Sequence, residues 1–168
     1  MSRPMPARRV VVGVDGSYAG LEALRTAVRL ARRERALLHA VRAWTFVPLW
    51  RPGTMPWLWL WQEDLARAAR AYVREAFAAA LGVLPPDVSV QIVVEQGYAG
   101  QVLVDHARRD NDLLVVGSPH RSRFGGGGHV TRYCVTRASV PVVAVPAPAW
   151  ARADAIRRFG RDLERFTR

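Results

Sequence analysis

Short apolar runs alternate with longer amphipathic stretches along most of this chain. The runs are rich in β-branched residues and are bounded by glycine, proline or polar residues, which is typical of buried strands. Between the runs, apolar residues recur every three or four positions, which is typical of helices with one buried face. The predicted strands are Val10–Val14, Ala36–Ala43, Val88–Glu95, Leu113–Val116 and Val140–Val145, and the predicted helices start at Ala19 and cover Gln62–Leu81, Gln101–Arg109 and Val130–Ala138.

This order of elements predicts an α/β fold of the Rossmann-like class. Strands that alternate with helices form a parallel sheet with helices on both faces, joined by right-handed crossovers. In such sheets, ligands bind at the carboxyl ends of the strands, where the winding reverses. We therefore expect the turn Gly13–Ser17 and the loop Gly117–Gly128 to share one crevice.

The loop before the last predicted helix contains glycines 125–128. A glycine-rich loop that opens a helix offers free backbone N–H groups and the positive end of the helix dipole, which together suit a phosphate. The alternative is a flexible surface loop with no ligand. Both interpretations remain open from the residues alone.

Two segments depart from the alternating pattern. Trp44–Trp61 combines three prolines with five tryptophans, so the first part of it cannot form a regular helix. It is predicted to pack as a lid over the edge of the domain, and the alternative is an exposed surface for a partner or a membrane. Residues 147–168 are predicted to form a basic helical tail after the main domain, 10–146, and residues 1–9 an arm before it.

The composition narrows the class of protein. All 25 basic residues are arginines and the formal net charge is +11, but acidic residues are interleaved with them. This pattern favours solvated helix faces over a nucleic-acid surface.

The first residues lack the apolar stretch of a signal peptide, and no run is long enough to span a membrane, so a cytoplasmic location is expected.

The sequence offers no evident catalytic machinery. It has no lysine, so it cannot contain a P-loop of the usual kind, and no metal-binding cluster or nucleophile–base pair is evident from the spacing. Cys134 is predicted to be buried on the same helix face as Val130 and Ala138. His39 and His106 are expected to have structural roles.

The ordered segments VVVGVDGS, LLHAVRAW, EQGYAGQVLVDHARRDNDLLVVGS and GGGGHVTRYCVTRASVPVVAV resemble the universal stress protein (UspA-like) family. The resemblance covers about Val10 to Pro146. It implies a five-stranded parallel sheet of the adenine-nucleotide α-hydrolase type, and dimers that form through the last strand, Val140–Val145. It also implies a regulator that is not an enzyme beyond, at most, very slow ATP hydrolysis.

ATP-binding members of that family carry a glycine, two residues, a second glycine, nine residues, and then a glycine followed by serine or threonine. In this chain Gly117 matches the first glycine and His120 occupies the second position. Counting forward places the final pair at Val130-Thr131. Counting back from Pro141 places it at Gly128-His129, which is the register we prefer.

The resemblance also implies a set of site residues. Asp15 matches an aspartate near the adenine and ribose, while Arg121 and the two histidines of the loop could contact phosphates. ATP is the implied ligand, with or without Mg²⁺. The complete set of predicted binding residues is Gly13, Val14, Asp15, Ala40, Val41, Val116, Gly117, His120, Arg121, Gly127, Gly128, His129, Val130 and Thr131.

Two functions follow from the sequence. The first is an ATP- or adenine-nucleotide-binding, homodimeric stress-response regulator that reports its bound state to an unknown protein partner. The second is a dimeric adaptor of the same fold that binds no nucleotide. The altered glycine spacing supports the second function.

Overall fold

The computed structural model describes residues 8–45, 60–118 and 128–151. Strands and helices alternate strictly along these residues. The strands are β1 (Arg9–Gly13), β2 (Leu37–Trp44), β3 (Val90–Gln96), β4 (Asp112–Ser118) and β5 (Val142–Pro146), and the helices are α1 (Tyr18–Glu34), α2 (Leu60–Leu81), α3 (Ala99–His106) and α4 (His129–Arg137).

All five strands lie in one parallel sheet in the order β3-β2-β1-β4-β5, which confirms the predicted fold class. The chain winds outward from β1 through β2 to β3. The α3 connection then carries it back across the sheet, so that β4 pairs with the free edge of β1. The winding therefore reverses between β1 and β4.

The two faces of the sheet have separate cores. On one face, α1 and α2 pack over the sheet around Leu24, Val28, Val73 and Phe77, all fully buried. On the other face, α3 and α4 pack around a second cluster that includes Leu114 and Cys134. Helices on both faces are what the strand–helix alternation predicts.

Several predicted boundaries shift by a few residues for local reasons. β5 starts at Val142 rather than Val140, because Pro141 has no N–H to donate, although its carbonyl accepts from the N–H of Leu114 at 3.0 Å. α3 ends at His106 rather than Arg109. The N–H of Arg109 is donated instead to the Asp112 carboxylate at 3.0 Å.

The two unusual segments lie mostly outside the described residues. Trp44 is the last residue of β2, and α2 begins at Leu60, two residues earlier than predicted. The rest of the predicted lid, residues 46–59, lies outside the described residues. Of the tail, the structure describes the chain to Ala151, which is buried. The Trp150 ring packs edge-on against Tyr18 of α1, with ring centroids 4.9 Å apart.

The electrostatics of the described surface agree with solvated helix faces. Exposed arginines pair with acidic neighbours, such as Arg32 with Asp87 at 2.6 Å and Arg67 with Asp64 at 3.1 Å. Such exposed pairs contribute little to stability. Among the described helices, none is long and apolar enough to cross a bilayer.

His39 lies in β2 with 7% of its surface exposed, and neither ring nitrogen has a hydrogen-bond partner among the described residues. Burial lowers the pKa of His39 below its ordinary value of 6.5. The positive charges of Arg9, His106 and Arg109 act in the same direction, and Asp112 opposes them. The neutral imidazole is therefore the form that the fold accommodates.

We expect His39 to make the fold sensitive to acid. The unfolded chain takes up a proton on His39 near pH 6.5, whereas the folded protein resists protonation to a lower pH. The stability that neutral His39 contributes is therefore complete above pH 6.5 and is lost as the pH falls through the folded pKa. Urea unfolding at pH 7.5 and pH 5.5 should show a smaller loss for His39→Leu than for the wild type. The exposed control His129→Gln should keep the wild-type loss, and equal losses in wild type and His39→Leu would contradict the assignment.

Cys134, the only cysteine of the chain, lies fully buried in the core on the α3–α4 face. Burial raises the pKa of its thiol to about 11. At pH 8, about one thiol in a thousand is then the reactive thiolate.

We therefore expect Cys134 to react slowly with a thiol reagent such as DTNB in the native protein and rapidly in denaturant. A matched control moves the thiol by one residue in Cys134→Ser/Val135→Cys, because Val135 is 57% exposed. This variant should react rapidly without denaturant. Rapid labelling of the native wild type would show that the thiol is accessible.

Candidate functional site

A cavity of about 270 Å³ opens at the carboxyl ends of β1, β2 and β4, where the winding of the sheet reverses. Its volume lies just below the usual range for small-molecule sites, roughly 300–1,000 Å³. Its walls are mostly apolar and its mouth carries polar groups. The lining residues are Gly13, Val14, Asp15, Val41, Arg42, Ala43, Ala99, Leu103, Val116, Gly117, Gly128, His129, Val130 and Thr131.

The cavity brings together ten of the fourteen residues that the sequence predicts for binding. They come from the β1–α1 turn, from β2, from the end of β4 and from the start of α4, which are far apart in the sequence. The expected common crevice is therefore present. His120, Arg121 and Gly127 lie outside the described residues.

Ala40 is the predicted residue that the structure places elsewhere. Its side chain is buried in the core beneath α1 and α2, on the opposite face of the sheet from the cavity. Side chains alternate between the two faces along a strand, so the neighbour Val41 points to the α3–α4 face instead. The expectation that Ala40 faces the ligand is therefore wrong, while Val41 does line the cavity.

Asp15 lies in the turn between β1 and α1, and its carboxylate is held by Ser17. The Oδ1 atom accepts from the Ser17 N–H at 3.0 Å and from the Ser17 hydroxyl at 2.8 Å. Ser17 in turn caps α1, because its hydroxyl oxygen accepts from the Gly20 N–H at 3.0 Å. Within the described residues, Oδ2 of Asp15 receives no hydrogen bond.

Two glycines make room for this arrangement. A Cβ atom on Gly20 would lie 1.9 Å from Oδ1 of Asp15, so any side chain there would displace the carboxylate. A Cβ atom on Gly117 would lie 2.7 Å from the backbone of Ala19 and Gly20. Gly117 therefore allows the end of β4 to touch the start of α1.

The start of α4 forms the opposite side of the cavity mouth. Gly128 is the N-cap in a left-handed conformation, with φ of 99°, and it has no side chain to cap the helix. The first N–H groups of a helix have no acceptor within it, and among the described residues no side chain caps those of α4, so they can face a ligand. The Thr131 hydroxyl donates to the carbonyl of Gly117 at 2.8 Å, which fixes α4 against β4.

Sequence reasoning missed four lining residues of the cavity, Arg42, Ala43, Ala99 and Leu103. It also missed Tyr72 of α2, which donates its hydroxyl to the Asp15 carbonyl at 2.8 Å. The signal for Arg42 is an arginine inside the mostly apolar strand LLHAVRAW. No signal in the sequence connected Tyr72 to Asp15, because the two residues are brought together only by the packing of α2.

The described residues contain no group of three or more histidine, cysteine or acidic side chains placed to hold a metal ion. The described residues therefore cannot coordinate a metal ion through such a cluster. The groups at the cavity are one carboxylate, one guanidinium, one imidazole and backbone N–H groups, which suit an organic ligand with hydroxyls and a phosphate.

Solved structures share this fold. UspA from Lactobacillus plantarum is 22% identical, with a TM-score of 0.62 over 84% of this chain and 99% of the other. A universal stress protein family member from Burkholderia pseudomallei is 21% identical, with a TM-score of 0.55 over 86% and 100% of the two chains. A universal stress protein in complex with cAMP is 20% identical, with a TM-score of 0.51 over 84% and 98%.

The structural similarities show the shared fold, whereas comparisons of the amino-acid sequence identify the family. A universal stress protein of Mycobacterium tuberculosis (strain H37Rv) is 31% identical over 152 residues, which cover 86% of this chain. The chain spans about half the length of the curated relatives it matches. The model of the universal stress protein family matches residues 6–146, which include every described strand. The chain therefore belongs to the universal stress protein family.

Proposed function

We propose that this protein binds an adenine mononucleotide, such as AMP, cAMP or ATP, in the cavity at the ends of β1, β2 and β4, and that binding rather than turnover is its role. The observation that carries the proposal is the convergence of Asp15 and the start of α4 on one apolar cavity. The solved family member in complex with cAMP supports the class of ligand.

The chemistry of the cavity suits the three parts of a nucleotide. Val14, Val41, Val116 and Leu103 offer apolar surface for a flat base. The Asp15 carboxylate can accept hydrogen bonds from ribose hydroxyls through its Oδ2 atom. The free N–H groups at the start of α4, with the dipole of that helix, favour a phosphate.

The proposal extends to assembly and location. The last strand, β5, is an edge strand of the sheet, and its apolar residues are partly exposed. We propose that it pairs two copies in a cytoplasmic homodimer, and that the nucleotide-bound state is reported to a protein partner. For ATP, the phosphates would carry any accompanying Mg²⁺ to the mouth of the cavity.

The first test is whether the protein carries and binds a nucleotide. The purified protein is denatured, and the supernatant is analysed by ion-exchange chromatography. Calorimetric titrations with AMP, cAMP and ATP follow. The proposal predicts a co-purified adenine nucleotide or a saturable binding heat. If neither is found, the proposal fails, and the alternative is the adaptor of the same fold that binds no nucleotide.

The second test separates the site from the fold through Gly20. In Gly20→Ala, the new Cβ would lie 1.9 Å from Oδ1 of Asp15, so the carboxylate must move. Losing a hydrogen bond to a charged group should reduce nucleotide affinity by about 10- to 100-fold. The unfolding free energy of the ligand-free protein should fall by about 1–2 kcal/mol at most, because the helix preference of alanine over glycine offsets part of the loss of the Ser17 hydrogen bonds to Asp15.

Gly82→Ala is the matched control. Gly82 ends α2 with φ of 81° and has nothing within 4 Å of a Cβ atom. Alanine in this conformation should cost about 1–2 kcal/mol of unfolding free energy. Its nucleotide affinity should remain that of the wild type. If Gly20→Ala keeps the wild-type affinity, the Asp15 carboxylate does not contribute to nucleotide binding.

A further inference from the structure

Two side chains from outside the β1–α1 turn hold that turn from the same side. Tyr72 of α2 donates its hydroxyl to the carbonyl of Asp15 at 2.8 Å. Arg42 of β2 donates Nη1–H to the carbonyl of Val14 at 3.0 Å. The two side chains also contact each other, because the Arg42 guanidinium carbon lies 4.4 Å from the centre of the Tyr72 ring.

The contacts fall on consecutive carbonyls at the point where the chain leaves the sheet. The Val14 N–H still donates to the Val41 carbonyl of β2 at 2.9 Å, and Asp15 follows it. β1 ends at Gly13, and α1 begins at Tyr18. Gly16 has φ of 69°, and a Cβ atom there would lie 2.0 Å from the Tyr72 hydroxyl oxygen. The Tyr72 hydroxyl therefore occupies the space that a side chain at position 16 would fill.

Arg42 also differs from the other arginines that the structure describes. It is partly buried at the cavity, and within the described residues it makes no ion pair with a carboxylate. Its cation lies instead over an aromatic face, a favourable arrangement that strengthens when water is partly excluded.

We propose that Arg42 and Tyr72 are positioning residues of the nucleotide site, which act through Asp15. They fix the peptide groups on either side of the Asp15 Cα atom, and the Asp15 carboxylate is thereby directed to the cavity and to Ser17. This inference rests on the proposed function for its ligand, but the fixation of the turn is a property of the protein without ligand.

The core does not depend on these two side chains. The buried residues of α2 that contact the sheet are Val73, Ala76, Phe77 and Ala80, whereas Tyr72 is only partly buried at the edge of that helix face. Removal of the Tyr72 hydroxyl should therefore change the site more than the unfolding free energy. This difference makes the inference testable.

Tyr72→Phe is the sharpest change, because it removes one hydroxyl and keeps the ring beneath Arg42. We expect affinity for AMP to fall about threefold to tenfold, which is the usual effect of losing one neutral hydrogen bond. Tyr133→Phe is the control, since it is the same chemical change on α4 at a side chain that is 40% exposed. Its affinity should not change. Arg42→Met should weaken binding in the same direction, whereas Arg29→Met, on the exposed face of α1, should not.

A double-mutant cycle tests whether Tyr72 acts through Asp15. Tyr72→Phe should weaken AMP binding in the wild-type background and cause no further loss in Asp15→Asn. An equal loss in both backgrounds would mean that Tyr72 acts on the ligand or on the fold as a whole, which would overturn the positioning role. Unchanged affinity in Tyr72→Phe would overturn it as well.

A measurement on the ligand-free protein separates this inference from the proposed function. The Ser17 N–H is hydrogen-bonded to Oδ1 of Asp15. Its hydrogen exchange, followed by NMR, should accelerate about threefold or more in Tyr72→Phe, while amides in β1 keep their rates. If the wild type binds no nucleotide, the proposed function fails and the exchange rate alone decides: acceleration supports the fixation of the turn, and unchanged exchange at Ser17 overturns it.

Discussion

The reversal of winding between β1 and β4 is the constraint on which the site depends. Because β4 returns to the free edge of β1, the connections that follow these neighbouring strands leave in opposite directions and open a crevice between them. At Gly117, which lines the cavity, α1 closely approaches the end of β4, and a Cβ atom there would lie 2.7 Å from the α1 backbone. The topology therefore places the cavity, and this close backbone contact requires a glycine at its wall.

The opposite end of the sheet is built for stability. Arg9 and Asp112, the first residues of β1 and β4, form a buried bidentate ion pair, and Arg9 also donates to the His106 carbonyl at 3.1 Å. Removing one partner of such a pair typically costs about 3–5 kcal/mol, because the other charge stays buried without compensation. The two strands whose connections diverge at the cavity are thus joined firmly at their other ends. Substitutions at the cavity end can alter the site while this joint remains.

The sequence predicts the fold well and the site only in part, for identifiable physical reasons. Apolar runs such as Val10–Val14 report burial directly, so the sequence predicts every strand that the structure describes. The errors at strand ends come from groups such as Pro141, whose missing N–H delays the start of β5. Ala40 and Val41 both lie in a strand, but the pleat decides which of them faces the cavity, and the run of apolar letters does not report the pleat. The role of Tyr72 cannot be predicted from the sequence, because the partner of its hydroxyl is a backbone carbonyl 57 residues away.

The glycines of the site are weaker evidence for a ligand than their pattern suggests. Gly117 is required by the contact between β4 and α1, and Gly16 by its positive φ and by the Tyr72 hydroxyl, so both are explained by the protein alone. Gly20 differs, because the atom that occupies its missing side-chain space is the carboxylate oxygen of Asp15. A helix would be more stable with alanine there, yet the space is kept for a charged group whose second oxygen has no donor among the described residues. Asp15 and the residues that hold it therefore support a bound nucleotide more strongly than the glycine loop does.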